Sequence, residues 1–319
     1  MEAQINLNSF SLRVLPYSRI VGQKTLKLGL ELAFIAPRLG GVLISGHRGT
    51  GKSTTARAFS IMVSKSMPVT LPINATEDRV IGGWKIDALM NRKARPQPGL
   101  LEDANGKLLY IDEVNLLDDH IVNIILDVTS TGILTIQREG RNESKPIQFM
   151  LVGTMNPEEG NLRPQLLDRF GLMADISIEK DINIRSQILQ TVLEFDAAIF
   201  ELQQKKKSSW ITQAYKDNNY CYQSLITARE KFADTTLSTD NKEVCIHIAM
   251  GFQSESHRGD YILALAARAL AAREGMSAVT IEHIRTVAPL ALQHRRQNFN
   301  QSWNKNDDDL LTRLISKYE

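Results

Sequence analysis

The residues from Gly46 to Ser53 combine flexibility, charge and a hydroxyl group at a spacing suited to holding phosphates. They read Gly-His-Arg-Gly-Thr-Gly-Lys-Ser and closely follow the apolar run Val42–Ile44. The three glycines let backbone N–H groups approach an anion and reach positive φ at low cost. Lys52 is placed to reach the outer phosphates, Ser53 offers a hydroxyl group to Mg²⁺, and the helix that follows directs its positive end at the anion. The segment predicts a nucleoside triphosphate site; the alternative is a glycine-rich turn without nucleotide.

Two acidic residues, Asp112 and Glu113, follow the apolar run Leu108–Ile111. This is the pattern of a buried parallel strand whose carboxyl end meets a ligand. Asp112 is expected to hold Mg²⁺ through its water shell, and Glu113 to polarise the water that attacks the γ phosphate. Acidic residues at a strand end are also common helix caps, and that alternative applies to the pair taken alone.

Three further polar residues follow predicted elements. Asn156 ends an apolar strand and is suited to orienting the attacking water, although an Asn before Pro also forms turns. Arg169 is interpreted as an arginine finger for a neighbouring subunit's site, with a surface ion pair as the alternative. Arg258 begins a strongly apolar helix, from which it is expected to reach the phosphates; a solvated arginine beside a helix cap is the alternative.

The elements that position these residues are predicted from periodicity and punctuation. A helix from about Lys24 to Ala36 ends before Pro37, and a second begins at the phosphate loop. The other predicted elements are strands at 69–74, 107–113 and 149–157, an excursion from Arg92 to Gly106, a helix at 118–130 and a β-hairpin within 132–149. After about Asp175 the pattern is helical, interrupted by a solvated lysine linker at 205–207.

The bulk composition fits a soluble globular protein of two domains. The chain has 319 residues, and a single core stops growing at roughly 250 to 300 residues. Its net charge of +2 gives no global argument for nucleic acid or an anionic membrane. The two cysteines, far apart in a chain without a recognisable leader, predict free thiols. No histidine or cysteine spacing suggests structural zinc, and no apolar run is long enough to span a membrane.

The order of these motifs resembles that of AAA+ ATPases and, within them, the I subunits of magnesium chelatases. The resemblance extends over about residues 16 to 296. It is carried by Ile20-Val21-Gly22-Gln23, the phosphate loop, Tyr110-Ile111-Asp112-Glu113-Val114-Asn115-Leu116-Leu117, Asn156-Pro157-Glu158-Glu159-Gly160 and Leu162-Arg163-Pro164-Gln165-Leu166-Leu167-Asp168-Arg169-Phe170-Gly171-Leu172. The last segment is the most specific and looks like the arginine-finger segment of that family.

The resemblance implies a three-layer αβα P-loop domain with a parallel sheet at 1–180, a linker helix region at 181–215 and a smaller all-helical lid at 216–319. It assigns Walker A to Gly46–Ser53, Walker B to Asp112 and Glu113, sensor 1 to Asn156, the finger to Arg169 and sensor 2 to Arg258, with Ser53 and Asp112 serving the Mg²⁺ of MgATP. Nucleotide contacts are expected from Ile20, Val21, Gly46, His47, Arg48, Gly49, Thr50, Gly51, Lys52, Ser53 and Thr54. His47 stands where the family usually has an acidic residue, and residues 194–221 match poorly.

The function implied is that of an ATP-hydrolysing motor subunit that drives Mg²⁺ insertion into protoporphyrin IX held by a separate subunit. Its expected partners are further copies in a ring, commonly a hexamer, a larger AAA+ bridging subunit with a metal-adhesion-type domain, and a porphyrin-binding subunit. Neither nucleic acid nor a membrane span is expected, and the expected compartment is the cytoplasm or the plastid stroma. The alternative is a MoxR-like chaperone ATPase that remodels protein partners or assists metal insertion outside tetrapyrrole synthesis.

Overall fold

Five parallel strands form the centre of the molecule, in the spatial order β2-β5-β8-β1-β9. The computed structural model describes residues 13–84, 96–138, 141–160, 162–254, 256–296 and 302–318. The sheet strands are β1 (Val42–Gly46), β2 (Val69–Leu71), β5 (Leu108–Ile111), β8 (Met150–Met155) and β9 (Leu172–Ile176). Because β1 and β5 lie on either side of β8, their carboxyl ends, which precede the phosphate loop and the two acids, open onto the same edge.

Helices cover both faces of this sheet. Alternate strand residues point to opposite sides: Val42 and Ile44 pack into one core, and Leu43 packs into the other. The first core contains residues of α1 (Lys24–Ile35) and α2 (Lys52–Ser64), and the second contains residues of α3 (Glu77–Ile81), α4 (Leu100–Asp103), α5 (Asp119–Thr131) and α6 (Pro164–Leu167). This arrangement confirms the predicted three-layer αβα class.

Two short antiparallel pairs lie outside the main sheet. In the first, β3 (Gly82–Trp84) pairs with β4 (Pro96–Pro98). The predicted excursion from Arg92 to Gly106 includes β4, whereas β3 precedes it; the first residues of the excursion, 92–95, lie outside the described part. In the second pair, β6 (Ile133–Arg138) and β7 (Arg141–Pro146) form the predicted hairpin.

The carboxyl-terminal half is helical, as predicted. Its helices are α7 (Ile182–Gln203), α8 (Ser209–Lys231), α9 (Thr239–Gly251), α10 (Arg258–Arg273), α11 (Ile281–Leu292) and α12 (Lys305–Ile315). The lysine segment 205–207 is an exposed turn between α7 and α8, in which Lys205 has a φ of 60°. The predicted division between residues 215 and 216 falls inside α8, and the domain boundaries stay a prediction.

The lid helices pack directly on the nucleotide-binding half. Residues of α10 and α11 share the first core with α1 and with the strands β1 and β9. Leu263, Ala266 and Leu290 are almost fully buried. The two halves therefore share one hydrophobic core. Burial of each large apolar side chain in it contributes about 1.5–3 kcal/mol to the free energy of folding.

Candidate nucleotide site

The phosphate loop connects β1 to α2 and requires glycine at three positions. Gly49 and Gly51 have φ values of 79° and 83°, in the left-handed region that side-chain-bearing residues rarely adopt. At Gly46 the reason is space, because an added Cβ would lie 2.2 Å from the carbonyl oxygen of Ile176 on the neighbouring strand. The loop shape that the sequence predicts therefore follows from backbone conformation at two positions and from close strand packing at the third.

The donors on this loop fit a bound polyphosphate. Gly51 caps α2 without a side-chain hydrogen bond, and the first N–H groups of an α-helix have no acceptor within the helix. The Lys52 ammonium donates to the carbonyl oxygens of Gly46 and His47, the latter at 2.9 Å, so it lies over the loop. Burial lowers the pKa of Lys52, while the charges of Asp112 and Glu113 partly offset this effect. An anion beside the ammonium would favour its charged form.

Ser53 and Asp112 are joined by a network of hydroxyl groups. The Oη of Tyr110 lies 2.9 Å from Ser53 Oγ and 3.0 Å from Asp112 Oδ1. Thr154 donates to the same Asp112 oxygen at 2.7 Å. Tyr110 and Thr154 are almost fully buried, and burial raises the pKa of Tyr110, which keeps its hydroxyl protonated. A hydroxyl and a carboxylate held this close are hard oxygen ligands of the kind that Mg²⁺ prefers.

Glu113 has an unusual backbone conformation beside this network. Its φ of 53° and ψ of 57° lie in the left-handed region, which is uncommon for a residue with a side chain and is found at functional sites. The N–H of Glu113 donates to Thr154 Oγ1 at 3.1 Å. The Arg48 guanidinium lies 3.2 Å from Glu113 Oε1 and also pairs with Glu159. Arg48 thus links the phosphate loop to the carboxylate expected to act as the base.

Asn156 directly follows β8, the strand that separates β1, which precedes the phosphate loop, from β5, which precedes the two acids. It is 4% exposed, and its Oδ1 accepts a hydrogen bond from the N–H of Glu158 at 3.3 Å. This contact matches the turn-forming alternative, while the position at the strand edge matches the sensor interpretation. Nearby, Nδ1 of His47 lies 3.4 Å from Glu158, so the residue that departs from the family pattern contacts the segment after Asn156.

The segment 20–23 lies beside the phosphate loop and contacts it through Gln23. Gln23, in the left-handed conformation at the start of α1, donates from Nε2 to the Thr50 carbonyl oxygen at 2.6 Å. Lys27 donates to the Ile20 carbonyl oxygen at 2.5 Å. These contacts fix residues 20–23 against the phosphate loop, and the nucleotide roles of Ile20, Val21 and Thr54 stay predictions.

Arg169 and Arg258 lie near the amino ends of the sheet strands, on the opposite side of the sheet from the carboxyl ends that carry the phosphate loop. A Cβ built on Gly40 would lie 3.5 Å from the Arg169 carbonyl oxygen and 3.8 Å from Nη2 of Arg258. Gly40 precedes β1, whereas the phosphate loop follows it, and six residues of extended chain span about 20 Å. Arg169 pairs with Asp127, and Arg258 Nη2 lies 3.3 Å from Ser130 Oγ. The two arginines are therefore brought together with each other and not with the phosphate loop of their own chain.

The finger segment is held by the turn that follows α11. The Arg295 side chain, 1% exposed, pairs with Asp168 at 3.0 Å and donates to the Gly171 carbonyl oxygen at 2.9 Å. Nε2 of His294 lies 3.0 Å from the Phe170 carbonyl oxygen. Burial lowers the pKa of Arg295 to about 10 and that of His294 well below its usual range. These buried contacts connect the lid to the residues on both sides of Arg169.

Sequence reasoning missed Tyr110, Thr154 and Arg295. Tyr110 and Thr154 could have been found from sequence spacing. They lie two positions before Asp112 and Asn156, and residues two apart on a strand point to the same face of the sheet. No sequence pattern indicated the role of Arg295, because its partner Asp168 is 127 residues away.

Two family descriptions match the chain. The AAA domain of the dynein-related subfamily matches residues 41–170, and the AAA lid domain matches residues 242–314. A crystal structure of a protein from Cytophaga hutchinsonii has a TM-score of 0.64 at 17% identity, covering 97% of this chain and 92% of that one, and shows a shared fold.

Close relatives have magnesium chelatase names. Magnesium-chelatase subunit ChlI of Chlorella vulgaris is 38% identical, covering 88% of this chain and 89% of that protein. The magnesium-chelatase 38 kDa subunit of Chlorobaculum tepidum is 37% identical, with coverages of 88% and 80%. A structure of the complex between subunits BchI and BchD of magnesium chelatase has a TM-score of 0.50 at 33% identity, covering 93% of this chain and 99% of that one.

Proposed function

We propose a chelatase role for this chain on the premise that it belongs to the magnesium chelatase I-subunit family of AAA ATPases. At that level it is an ATPase subunit. The finer proposal is that it drives Mg²⁺ insertion into protoporphyrin IX held by a separate subunit. Its relatives are named as magnesium chelatase subunits over most of their length, and this supports the proposal.

The proposal rests on one observation: the site residues of one chain lie at two opposite edges of its sheet. Lys52, Ser53, Asp112 and Glu113 lie at one edge, whereas Arg169 lies near the other. A complete site therefore requires a second protomer, which supplies Arg169 and Arg258 to its neighbour's nucleotide. Repeating this head-to-tail contact generates a ring if the rotation closes, and we propose a hexamer.

Each side chain has a defined task in this mechanism. The loop N–H groups and Lys52 hold the phosphates, and Ser53 and Asp112 hold Mg²⁺, which neutralises phosphate charge when bound. Glu113 accepts a proton from the attacking water, and Asn156 orients that water. Arg48 has to release Glu113 for this step, because a carboxylate paired with a guanidinium is a weaker base. Arg169 stabilises the charge that develops on the transferred group.

The structural likeness to the complex between BchI and BchD supports one partner subunit. We propose that a larger AAA+ bridging subunit docks on the ring and passes conformational strain to the porphyrin-binding subunit. The buried contact between Arg295 and Asp168 supports this route, because lid movement must act on the finger segment. ATP and Mg²⁺ are the proposed ligands, and the cytoplasm or plastid stroma is the proposed compartment.

Hydrolysis and chelation are tested in two steps. Glu113→Gln is expected to lower the ATPase rate by at least 100-fold while nucleotide binding persists. Glu243→Gln, an exposed carboxylate on α9, is the matched control and should leave the rate unchanged. With bridging and porphyrin-binding subunits added, wild-type protein should convert protoporphyrin IX to its magnesium form in an ATP-dependent manner. Equal ATPase rates for Glu113→Gln and wild type would refute the assigned base, and ATPase activity without chelation would refute the chelatase role.

A further inference from the structure

Helix α7 carries a row of large apolar side chains on its outer face. Ile182, Leu189, Leu193 and Phe200 are 79%, 61%, 59% and 61% exposed. At 100° per residue, these four positions fall within about 40° of arc. Of the 22 residues in this helix, Ala198 is the buried one. We call these four residues the α7 stripe. Apolar patches of this kind mark interaction sites when they are contiguous.

The opposite face of α7 already has its partners. Phe195 stacks near Trp210 of α8 with ring centroids 6.0 Å apart, and Ala198 is buried. Ile184 Cγ2 lies 3.8 Å from the position of a Cβ on Gly22. The helix therefore has two apolar faces, one facing the body of the protein and one bare. A helix on the surface of a globular protein normally has one apolar face, which packs on the core, and a polar face towards solvent.

The first turn of α7 lies beside the segment that contacts the phosphate loop. Ile184, two residues after Ile182 of the stripe, is in van der Waals range of Gly22. The residue after Gly22, Gln23, donates to the Thr50 carbonyl oxygen of the loop. The neighbouring helix α8 is held to the same segment, because Ser18 Oγ donates to the Ala214 carbonyl oxygen at 2.9 Å and Arg19 pairs with Asp217 at 2.6 Å. The stripe therefore begins next to the edge that would receive a neighbour's Arg169.

The edge that carries the two arginines also has exposed apolar side chains. Tyr261 lies one helical turn after Arg258 and is 46% exposed. On the preceding helix, Ile246 and Met250 are spaced by four residues and are 44% and 70% exposed. In a head-to-tail assembly this surface of one protomer faces the nucleotide edge of the next.

We propose that the α7 stripe is a protomer interface that packs against the Tyr261 surface of a second copy of this chain. The inference rests on the proposed ring. The charges on α7 favour protein over an anionic membrane surface, because the helix contains three acids and one base. Burial of the stripe adds apolar contact to an interface that otherwise depends on the nucleotide and the arginines.

The first test compares assembly of wild type with that of the double variant Leu189→Gln, Leu193→Gln, by sedimentation velocity with ATP analogue and Mg²⁺. The variant should need at least tenfold more protein for half-maximal assembly. Its melting temperature and the nucleotide affinity of the monomer should match wild type, because the altered residues are exposed. Met67→Gln, which removes an exposed apolar side chain outside α7, should assemble as wild type.

Two results would overturn the inference: assembly of the double variant at wild-type concentrations, or normal assembly with loss of bridging-subunit binding, which would assign the stripe to that partner. These readouts contain no tetrapyrrole, so a failed chelation assay leaves the test intact.

A crosslinking test identifies the receiving surface. In a Cys221→Ser background, protomers with Leu193→Cys are mixed with protomers with Tyr261→Cys and treated with a short bismaleimide. Crosslinks between the two kinds of protomer are expected. Crosslinks within the Leu193→Cys preparation alone would indicate a symmetric contact and contradict the head-to-tail arrangement.

Discussion

At the residue scale, two buried hydroxyl groups organise the catalytic edge. Thr154 Oγ1 donates to Asp112 and accepts from the N–H of Glu113, so one side chain on β8 fixes both acids that follow β5. Tyr110 connects Asp112 to Ser53 on α2. The left-handed backbone of Glu113 is therefore supported by the hydrogen bond that its N–H donates to the adjacent strand.

Thr154→Val is expected to lower kcat by about tenfold or more, because it leaves the Glu113 N–H without its acceptor inside the protein at a cost of about 1–3 kcal/mol. Nucleotide affinity should change little, since Thr154 does not belong to the phosphate loop. Steady-state ATPase and fluorescent-nucleotide titrations give the two values. Ser60→Ala removes another buried hydroxyl, on α2, and is the control. Loss of affinity at unchanged kcat would contradict this role.

Tyr110→Phe is expected to raise the Mg²⁺ concentration for half-maximal ATPase about fivefold, because a neutral hydrogen bond is worth about 1 kcal/mol. The measurement is a Mg²⁺ titration at saturating ATP. Tyr222→Phe, which alters a partly buried tyrosine beside α1, should leave the titration unchanged. An unchanged midpoint for Tyr110→Phe would show that the network does not support the metal ligands.

At the element scale, the turn that follows α11 is bonded to the finger segment by several hydrogen bonds. Arg295 donates to the carboxylate of Asp168 and to the carbonyl oxygens of Phe170 and Gly171, and each contact crosses from the lid to the nucleotide-binding half. Asp168 also accepts from Ser256 Oγ at 3.1 Å. Because these groups are largely buried, lid movement without movement of the finger segment would break several hydrogen bonds.

Arg295→Met should destabilise the protein by about 1–3 kcal/mol, because it leaves the Phe170 and Gly171 carbonyl oxygens without their buried donor. The ATPase rate should also fall at temperatures where the variant is folded, since Arg169 adjoins Asp168. Thermal unfolding and ATPase assays test the two effects. Arg313→Met, on the exposed face of α12, is the control. If the Arg295→Met variant kept wild-type ATPase activity, the contact between the lid and the finger segment would not be needed for the function of Arg169.

The buried His294 predicts acid sensitivity of the same contact. Burial, followed by the charges of Arg295 and Arg258, lowers its pKa well below 6.5. Below about pH 6.5 the unfolded chain binds a proton that the folded chain excludes, so stability decreases by up to about 1.4 kcal/mol per pH unit until the folded-state pKa is reached. Urea unfolding at pH 7.5 and 5.5 measures this loss. His294→Gln should reduce the difference, whereas the exposed control His120→Gln should not.

At the scale of the whole molecule, the arginines near one edge and the acids at the other predict complementation between protomers. Arg169→Ala and Glu113→Gln should each be almost inactive alone. In a 1:1 mixture, random neighbours in a closed ring place an intact base beside an intact finger at about one quarter of interfaces. The mixture should therefore recover about a quarter of wild-type ATPase activity. No recovery, with mixed rings verified by native mass spectrometry, would contradict completion of the site by a neighbour.

Within the described part of the chain, no helix combines the length and apolarity needed to cross a membrane. Cys221 and Cys245 are free thiols, as predicted, and burial raises the pKa of Cys245 to about 12. The α7 stripe places four exposed apolar side chains on one helix, and of these Phe200 lies in the segment 194–221 that matches the family poorly.

The sequence by itself determined the parts of the site that depend on local order. Glycines at 46, 49 and 51, the lysine and serine that follow, and the acids after β5 all lie at the predicted edge of the sheet, because a strand, its end and the next turn are neighbours in sequence and in space. The same locality made the hairpin predictable from periodicity, whereas the three-layer αβα class was implied by the family resemblance.

Only the tertiary structure decided which distant residues meet. Arg48 and Glu113 are 65 residues apart, and Arg295 and Asp168 are 127 apart. The side of the sheet on which Arg169 and Arg258 lie depends on how the lid packs against α1 and β9. No local pattern encodes such pairings, because packing of whole elements chooses them from many sterically similar arrangements.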